Sequence, residues 1–314
     1  MQTIDMDMDM IDMDMRVKCE SNTLMDQSQI LDRLNVMRKQ EMNTYQCSDY
    51  LRNITTEPGT IDAWCRYKMV EWSFQIIDFV DFQRETVCIA MSYLDRFLAT
   101  KSPRALRVIH SRKEYQLAAM TAVYTAIKVF EPKVMDTALL AELSRGCYTA
   151  ADFKRMELDM LFDLNWRVNG PTAISFVEHY LALLPLEQYG KDFNSETILD
   201  HARYQIELSV ADYDLMTEIP SSIAIGALAN SVQRIYSAQG ITSDAARILK
   251  SIQNISETKM HSSSLRRIAQ SMERLLNDKI HTICRRKSSP SLQEHRLKTR
   301  EERQGDCSPN CVST

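Results

Sequence analysis

Apolar residues recur along this chain with the spacing of α-helices. In the stretch RETVCIAMSYLDRFLA, the positions that share one helix face are Val87, Ala90, Met91, Leu94 and Leu98. In the stretch TAADFKRMELDMLFDLNW, the corresponding positions are Phe153, Met156, Met160, Leu161 and Leu164. A period near 3.6 residues predicts amphipathic helices that each turn one face toward a core. Thr149, three residues before Asp152, predicts the capping box that starts the second of these helices.

Glycine and proline divide the chain into pieces of one or two helix lengths each. The breakpoints are Pro58-Gly59, Pro103, Pro132, Gly146, Gly170-Pro171, Pro185, Gly190, Pro220 and Gly240. Such residues interrupt helices and mark the connections between them. Alternating runs bounded by Asn-Gly or Asp-Gly, which are typical of β-hairpins, do not occur in the sequence. With about five helical pieces on each side of Gly170-Pro171, the pattern predicts an all-α protein of two similar-sized halves.

The two ends of the chain differ from its middle. Residues 1–39 open with an Asp-Met alternation, and residues 285–314 begin with a basic stretch and lack a periodic apolar face. Segments that cannot bury enough apolar surface do not fold, so we expect disorder at both ends, with a frayed helix as the alternative for the first. The predicted domains are therefore 40–169, which includes a leading helix, and 170–284.

Composition and charge exclude several classes of partner. Of the 314 residues, 44% are hydrophobic and 25% are charged, which is typical of a globular protein. The net charge of -4 gives no overall attraction to nucleic acid or to an anionic membrane. No apolar run reaches the roughly 18 residues of a membrane span. The first 15 residues are acidic, unlike a secretory signal, so we expect the chain to stay inside the cell.

The sequence carries no recognisable catalytic, metal or cofactor motif. None of its six His residues stands beside a suitably spaced Cys or Asp. Its eight Cys residues include no Cys-x-x-Cys pair and no matching His spacing, which argues against zinc. No Gly-rich phosphate loop is present. We therefore expect a non-catalytic protein without a cofactor.

Two pairs of charged residues lie inside apolar helical stretches, each pair 29 residues apart. Arg66 and Asp95 predict a partly buried ion pair that ties two helices together, with exposure of both side chains as the alternative. Lys128 lies in the nearly uniform apolar stretch AAMTAVYTAIKVFEP, and Glu157 lies on another apolar helix. Because a buried charge needs a partner, this second pair either meets inside one core or converges at a surface edge as a polar clamp for another chain. Periodicity does not choose between these arrangements.

Several stretches together resemble the cyclin family. RYKMVEWSFQIIDFVDFQRETVCIAMSYLDRFLA resembles the first helix of the cyclin box, commonly Met-Arg-Ala-Ile-Leu-Val-Asp-Trp, and a second helix that ends in Asp-Arg-Phe-Leu. QLAAMTAVYTAIKVFE resembles the third helix, and FKRMELDMLFDLNWRVNGPT resembles the fifth helix and the link to a second box. The motifs cover residues 45–172, and residues 172–283 match by helix count and the leading Pro-Thr. The resemblance implies two tandem five-helix cyclin boxes with a short N-terminal helix.

The resemblance also implies a function and a binding site. Cyclins activate a cyclin-dependent kinase by packing against its mobile helix and activation segment. The invariant Lys and Glu of the family, which bind the kinase, match Lys128 and Glu157, and Trp166 matches an aromatic at the same contact. The buried Arg–Asp pair of the family matches Arg66 and Asp95. The expected partner is therefore a cyclin-dependent kinase, and the expected role is control of cell-cycle progression.

A second family site, the groove that docks substrate and inhibitor peptides carrying Arg-x-Leu, matches Met69, Trp72, Tyr115 and Gln116. Met69 and Trp72 by themselves are equally consistent with core packing. The sequence departs from the family pattern at three positions, Cys65, Lys68 and Gln75, which replace the usual Met, Ile and acidic residue. An added cation and a lost carboxylate should weaken attraction to an Arg side chain.

Two other functions fit a helical protein of this kind. One is a cyclin-fold transcription factor, against which the acidic balance and the lack of a zinc ribbon argue. The other is a helical scaffold that binds no kinase. The expected location is the nucleus, with the cytoplasm as a second compartment, because the stretch 285–303 holds seven Lys or Arg against three Glu.

Overall fold

A computed structural model describes residues 27–52, 54–55, 57–133, 135–185, 189, 194–238, 240, 242–256 and 262–287. Within these residues the fold consists of α-helices without a β-strand, as the sequence pattern predicted. The helices are α1 (Gln27–Asn43), α2 (Ala63–Val80), α3 (Glu85–Ala99), α4 (Pro103–Ile109), α5 (Arg112–Phe130), α6 (Thr137–Leu143), α7 (Ala150–Asp163), α8 (Ala173–Ala182), α9 (Ser195–Ser209), α10 (Pro220–Ala238), α11 (Thr242–Ser256) and α12 (Ser263–Lys287).

The first half packs around α5. Every residue of this helix from Tyr115 to Ile127 is buried, which agrees with its nearly uniform apolar sequence. Helices α3 and α7 pack against it. The alanines of α5 present little side-chain bulk, so neighbouring helices can approach its backbone closely.

The first half contains one helix more than the five expected. The additional helix is α4, which has only seven residues. It starts where Ser102 accepts a hydrogen bond from the backbone N–H of Ala105 and where Pro103 occupies the first turn. Both features stabilise a helix N-terminus and do not depend on a long apolar stripe.

The second half packs around α10. This helix contacts α8, α9, α11 and α12, and its buried residues form one core with theirs. The connection between the halves passes Gly170, where an added Cβ would lie 2.5 Å from Cδ1 of the Tyr45 ring. Only glycine allows the linker to approach this ring so closely. None of the helices that the structure describes combines the length and hydrophobicity needed to cross a lipid bilayer.

The predicted disordered segment 1–39 requires a correction, because residues 27–39 belong to α1. Ile30 and Leu34 of this helix are buried in the core of the second half. Arg38 adds a 2.8 Å hydrogen bond from Nη2 to the carbonyl oxygen of Ile255. These contacts stabilise a helix that its own weak apolar pattern does not predict. Residues 1–26 lie outside the described residues.

The boundary predicted at residue 285 also moves, because α12 continues to Lys287. The basic tail expected over 285–314 therefore begins inside a helix, and its residues from 288 onward lie outside the described part of the chain. A run of good helix-forming residues such as Arg and Lys continues a helix without an apolar face.

Candidate functional site

Lys128 occupies the last turn of α5. The helix ends at Phe130 because Glu131 is extended, with φ -93° and ψ 145°, and precedes Pro132. Proline disfavours helical geometry in the residue before it. A cation in the last turn also interacts favourably with the helix dipole. The local sequence thus places Lys128 at the exposed end of an otherwise buried helix.

Glu157 of α7 meets Lys128 across the contact between α5 and α7. The Nζ atom of Lys128 lies 3.1 Å from Oε1 and 3.3 Å from Oε2 of Glu157. The Lys128 side chain is 49% exposed, whereas the Glu157 side chain is only 12% exposed. Thr125 donates a further hydrogen bond of 3.4 Å to Oε1 of Glu157. Of the two arrangements left open by the sequence, the structure shows the pair at a surface edge.

The ammonium group of Lys128 keeps the capacity to bind another acceptor. An ammonium carries three N–H donors, and at most two of them are directed at Glu157. The ring of Tyr124 lies beneath it, with its centroid 5.8 Å from Nζ. Burial and the nearby Glu157 carboxylate raise the pKa of Tyr124, so its hydroxyl remains neutral. The carboxylate of Glu157 is therefore held in place, and the half-exposed ammonium of Lys128 lies above it.

Large apolar side chains lie exposed beside this ion pair. Leu158, Phe162 and Trp166 are 58%, 73% and 63% exposed, and we refer to these three residues as the α7 strip. Leu158 follows Glu157 directly, and Phe162 lies one helical turn farther along the same face. Val129 and Phe130, next to Lys128, are also exposed. Adjacent apolar residues of this size on a surface are typical of a protein-binding site.

Trp166 reaches the surface through a turn in left-handed backbone conformation. Asn165 has φ 51° and Trp166 has φ 59°. The N–H of Trp166 donates to the carbonyl oxygen of Leu161 at 2.8 Å, and that of Asn165 donates to Phe162 at 2.9 Å, as in a Schellman motif. A bulky aromatic with positive φ is an outlier of the kind found at functional sites. The turn places the indole beyond α7, at the far end of the strip from Glu157.

The structure brings Arg66 and Asp95 together in the first core. Nε and Nη2 of Arg66 donate to the two carboxylate oxygens of Asp95 at 3.0 and 2.8 Å. The side chains are 3% and 5% exposed. Burial acts to lower the pKa of Arg66, and the adjacent Asp95 more than offsets this effect, so the net pKa is raised. The pair is a buried bidentate link between α2 and α3.

This buried pair also joins the two halves of the molecule. Nη1 of Arg66 donates to the carbonyl oxygen of Val210, just after α9, at 2.5 Å. The hydroxyl of Tyr50 donates to Asp95 at 3.0 Å, and the Tyr50 ring contacts the edge of Tyr213. Arg66 and Asp95 therefore link α2 and α3 to each other and to the second half.

The four residues expected in the docking groove lie mostly inside the first core. Met69, Trp72 and Tyr115 are each no more than 5% exposed. Gln116 is 9% exposed, and its Oε1 atom accepts a hydrogen bond from the Tyr148 hydroxyl at 3.0 Å. Only a small part of each side chain is thus available to a peptide.

The exposed face of α2 beside these residues has a different chemistry. Lys68 forms a 2.9 Å ion pair with Glu71 and lies over the rings of Trp64 and Tyr67, which stack on each other. Partial burial acts to raise the pKa of Glu71, and hydrogen bonds from Tyr67 and Lys68 more than offset this effect, so the net pKa is lowered. Gln75 is exposed. Lys68, paired with Glu71, therefore occupies the position where the family pattern has an apolar residue.

Three exposed residues near these sites had not been singled out from the sequence. They are Leu158, Phe162 and Trp64. The sequence did contain a sign of the two exposed residues of α7. Leu158 and Phe162 are apolar but fall outside the apolar stripe that contains Met156 and Met160, so they could have been predicted to face solvent. Within the described residues, no group of three or more His, Cys, Asp or Glu side chains could hold a metal ion.

Two models of protein families match the chain. One is described as the cyclin N-terminal domain and matches residues 32–169. The other is described as the cyclin C-terminal domain and matches residues 171–308. The two matches together extend over most of the sequence and meet at Gly170, where the structure passes from the first half to the second.

Several proteins that are similar to this chain are named as cyclins. G1/S-specific cyclin-D1 of Danio rerio is 27% identical over 246 residues, which cover 74% of this chain and 80% of the relative. G2/mitotic-specific cyclin-B2 of Gallus gallus is 27% identical over 203 residues, which cover 59% of this chain and 47% of the relative. A viral cyclin from herpesvirus saimiri has the same fold, with a TM-score of 0.51 at 16% identity over 71% of this chain and 96% of the viral chain. By its sequence and its fold, the chain is a member of the cyclin family with an N-terminal and a C-terminal cyclin domain.

Proposed function

We propose that this protein is a non-catalytic regulatory subunit that binds and activates a cyclin-dependent kinase. The observation that carries the proposal is the half-exposed Lys128, anchored by Glu157 and adjoined by the exposed α7 strip. An isolated chain gains no stability from three large apolar side chains that lie exposed on its surface beside an ion pair. A partner chain would bury the apolar groups and supply acceptors for the ammonium.

The strip and the ion pair would contribute differently to binding. Full burial of a large apolar side chain stabilises a complex by about 1.5–3 kcal/mol, so the strip would supply most of the affinity. The ion pair is already formed in the free protein, and its role is to orient the partner through directed hydrogen bonds from Lys128. A kinase helix held in this way would be repositioned so that its catalytic Lys–Glu pair can form.

The process controlled would be cell division. Two similar proteins are named for the G1/S and the G2/mitotic steps of the cell cycle. We propose the same kind of role here, in the nucleus, where the basic stretch 285–303 would direct the chain. Nuclear fluorescence of a tagged chain that is lost when residues 285–314 are removed would support this location.

The face of α2 would dock a different peptide from the one expected of the family. Lys68 with Glu71 occupies the outer surface, and Gln75 supplies no carboxylate for an Arg side chain. We infer that peptides carrying Arg-x-Leu bind this face weakly. Fluorescence anisotropy with such a peptide would test this, and a micromolar or tighter Kd would contradict it.

Substitution of both residues of the ion pair tests the proposed kinase contact. We expect Lys128→Ala combined with Glu157→Ala to weaken kinase binding by about 30-fold or more, as for a residue that dominates an interface. The protein should remain folded, because the pair lies at a surface edge with a half-exposed cation, and such a pair contributes only about 1 kcal/mol or less to stability. Affinity purification of the tagged chain, followed by a histone phosphorylation assay, measures both binding and activation.

A second exposed ion pair in the chain provides the control. Arg203 and Glu178 of the second half lie 3.2 Å apart, and their side chains are 40% and 47% exposed. We expect Arg203→Ala combined with Glu178→Ala to leave kinase binding unchanged. Full binding by the Lys128 and Glu157 double variant, with a normal thermal unfolding curve, would refute the assignment of this surface.

A further inference from the structure

The alternation of Asp and Met near the start of the chain is not used by the proposed function. Residues 4–15 read IDMDMDMIDMDM and contain five Asp, five Met and two Ile, without a Lys or Arg. We refer to these residues as the acidic segment. Met side chains are flexible and adapt to irregular apolar surfaces. A surface complementary to this segment therefore combines exposed apolar groups with cations.

The α7 strip has exposed cations at both of its ends. Lys154 and Arg155 are exposed and lie about one helical turn before Leu158, on the same side of α7. Arg167 is exposed and directly follows Trp166. The carboxylates of α7, in contrast, are bound within the chain: Asp152 in the capping box, Glu157 to Lys128, Asp159 to Arg104 and Asp163 to Ser102. The charges that a partner would meet beside the strip are therefore mainly positive.

The acidic segment is close enough to α1 in the sequence to reach the strip. Gln27, the first residue of α1, precedes Met37 by ten residues, or about 15 Å along the helix axis. Met37 and Phe130 line the same surface pocket, and Phe130 lies two residues after Lys128. Residues 16–26, which separate the acidic segment from α1, span up to about 40 Å when extended. This reach exceeds the length of helix between Gln27 and Met37 by a wide margin, so the segment can extend past Phe130 to the ion pair and the strip.

We propose that the acidic segment docks on the α7 strip of its own chain and shields this surface from a partner. The Met side chains pack on the three exposed apolar residues of the strip, and the carboxylates bind Lys154, Arg155 and Arg167. Docking of the segment covers the exposed apolar area until a partner displaces it. The docking itself needs no kinase, but its consequence for kinase binding rests on the proposed function of the strip.

A segment tethered to the same chain needs only weak intrinsic affinity to occupy the strip. A short tether holds its segment at an effective concentration on the order of 1 mM. With an intrinsic Kd of about 0.1 mM, the strip is free in roughly one molecule in ten, and a kinase that needs the strip binds about tenfold more weakly. Removal of the negative charges from the segment should therefore restore about this factor in kinase affinity.

Zero-length cross-linking of the full chain with a carbodiimide tests the docking without a kinase. The reagent couples a carboxylate to an amine that contacts it, and mass spectrometry of the monomer fraction identifies the joined residues. We expect aspartates of the acidic segment to be joined to Lys154 or Lys128. Lys250 of α11 and Lys279 of α12, which are exposed on other helices, are the internal controls. Coupling of the segment to these controls alone, to no lysine, or only in a dimer fraction would overturn the proposal.

Removal of the charges gives a second test that does not depend on cross-linking. A full-chain variant in which the five aspartates of the acidic segment are changed to asparagine keeps every Met; the changes are Asp5→Asn, Asp7→Asn, Asp9→Asn, Asp12→Asn and Asp14→Asn. In a Trp64→Phe background, quenching of fluorescence by uncharged acrylamide reports chiefly on Trp166, because Trp72 is buried. We expect quenching to increase in this variant and to stay unchanged in the control Glu196→Gln with Asp200→Asn, at exposed acids of α9.

Kinase affinity separates a failure of this proposal from a failure of the proposed function. We expect the variant without the five carboxylates to bind the kinase about tenfold more tightly than the wild type, and the control to bind it equally. Increased quenching without a gain in kinase affinity would support the docking and remove the strip from the kinase interface. Unchanged quenching would overturn the docking, whether or not the chain binds a kinase.

Discussion

Two pairs of charged residues look alike in the sequence and differ completely in their surroundings. Arg66 with Asp95 and Lys128 with Glu157 are both separated by 29 residues and both lie on apolar helices. The first pair is almost fully buried, and the second has a half-exposed cation. The difference arises because Lys128 occupies the last turn of its helix, whereas Arg66 lies beside Tyr50 and Val210. The first pair is suited to stabilise the fold, and the second to contact a partner.

Removal of one charge from the buried pair should destabilise the protein strongly. Asp95→Asn keeps the shape of the side chain and leaves Arg66 without a counter-ion. We expect the free energy of unfolding to fall by about 3–5 kcal/mol, as for other broken buried pairs. Urea denaturation followed by circular dichroism measures this loss.

A matched control comes from an exposed aspartate. Asp200 is 68% exposed and lies 3.8 Å from Arg203. Asp200→Asn should change the free energy of unfolding by no more than about 0.5 kcal/mol. A loss below about 1 kcal/mol for Asp95→Asn would mean that the buried pair contributes little to the fold.

Helix α7 shows how one element can serve the core and the surface. Its start was predicted from Thr149 and Asp152, and the capping box is confirmed by hydrogen bonds in both directions. Phe153, Met156 and Met160 fill the core. Glu157 lies at the edge of this buried face, and the α7 strip follows on the solvent side. The core residues, Glu157 and the exposed apolar residues of α7 thus lie on different sides of one helix axis.

A substitution in the strip should separate binding from stability. Phe162 is 73% exposed, so Phe162→Ser should leave the free energy of unfolding within about 0.5 kcal/mol of the wild type. We expect kinase affinity to fall about tenfold or more, because a large apolar contact would be lost. Pull-down with increasing kinase concentration measures the change, and Tyr204→Ser, at an exposed aromatic of the second half, is the control. Equal affinity of the two variants would exclude Phe162 from the interface.

Helix α1, in contrast to α7, was not predicted from its local sequence. Its sequence was expected to belong to a disordered segment up to residue 39, because its apolar residues are few. The residues that stabilise it lie far along the chain, as with the Ile255 carbonyl that accepts from Arg38. Glu41 similarly accepts hydrogen bonds from the backbone and hydroxyl of Ser221. A helix held by such distant contacts leaves little trace in its local pattern.

The two halves are connected by polar contacts as well as by the linker. Arg66 binds the carbonyl oxygen of Val210, Nε of Arg84 donates to Glu207 at 2.7 Å, and α1 packs into the core of the second half. Separation of the halves would expose these groups. The molecule is therefore expected to unfold as one unit.

The positions of the tryptophans allow this expectation to be tested. Trp64, Trp72 and Trp166 are the three tryptophans of the chain, and all belong to the first half. Tryptophan fluorescence thus reports on the first half, and far-ultraviolet circular dichroism reports on both. We expect the two signals to give coincident urea transitions. Two transitions with separate midpoints would show that the halves unfold independently.

The sequence by itself determined the helical class, the division near Gly170 and the placement of the charged pairs on apolar helices. These features follow from helical periodicity and from glycine and proline breakpoints, which are local properties of a chain. The tertiary structure decided that Arg66 is buried while Lys128 reaches the surface, that α1 packs on the second half, and that Arg96 is buried against the ring of Tyr45. Each of these depends on side chains brought together from distant parts of the sequence, and burial is a property of that assembled environment.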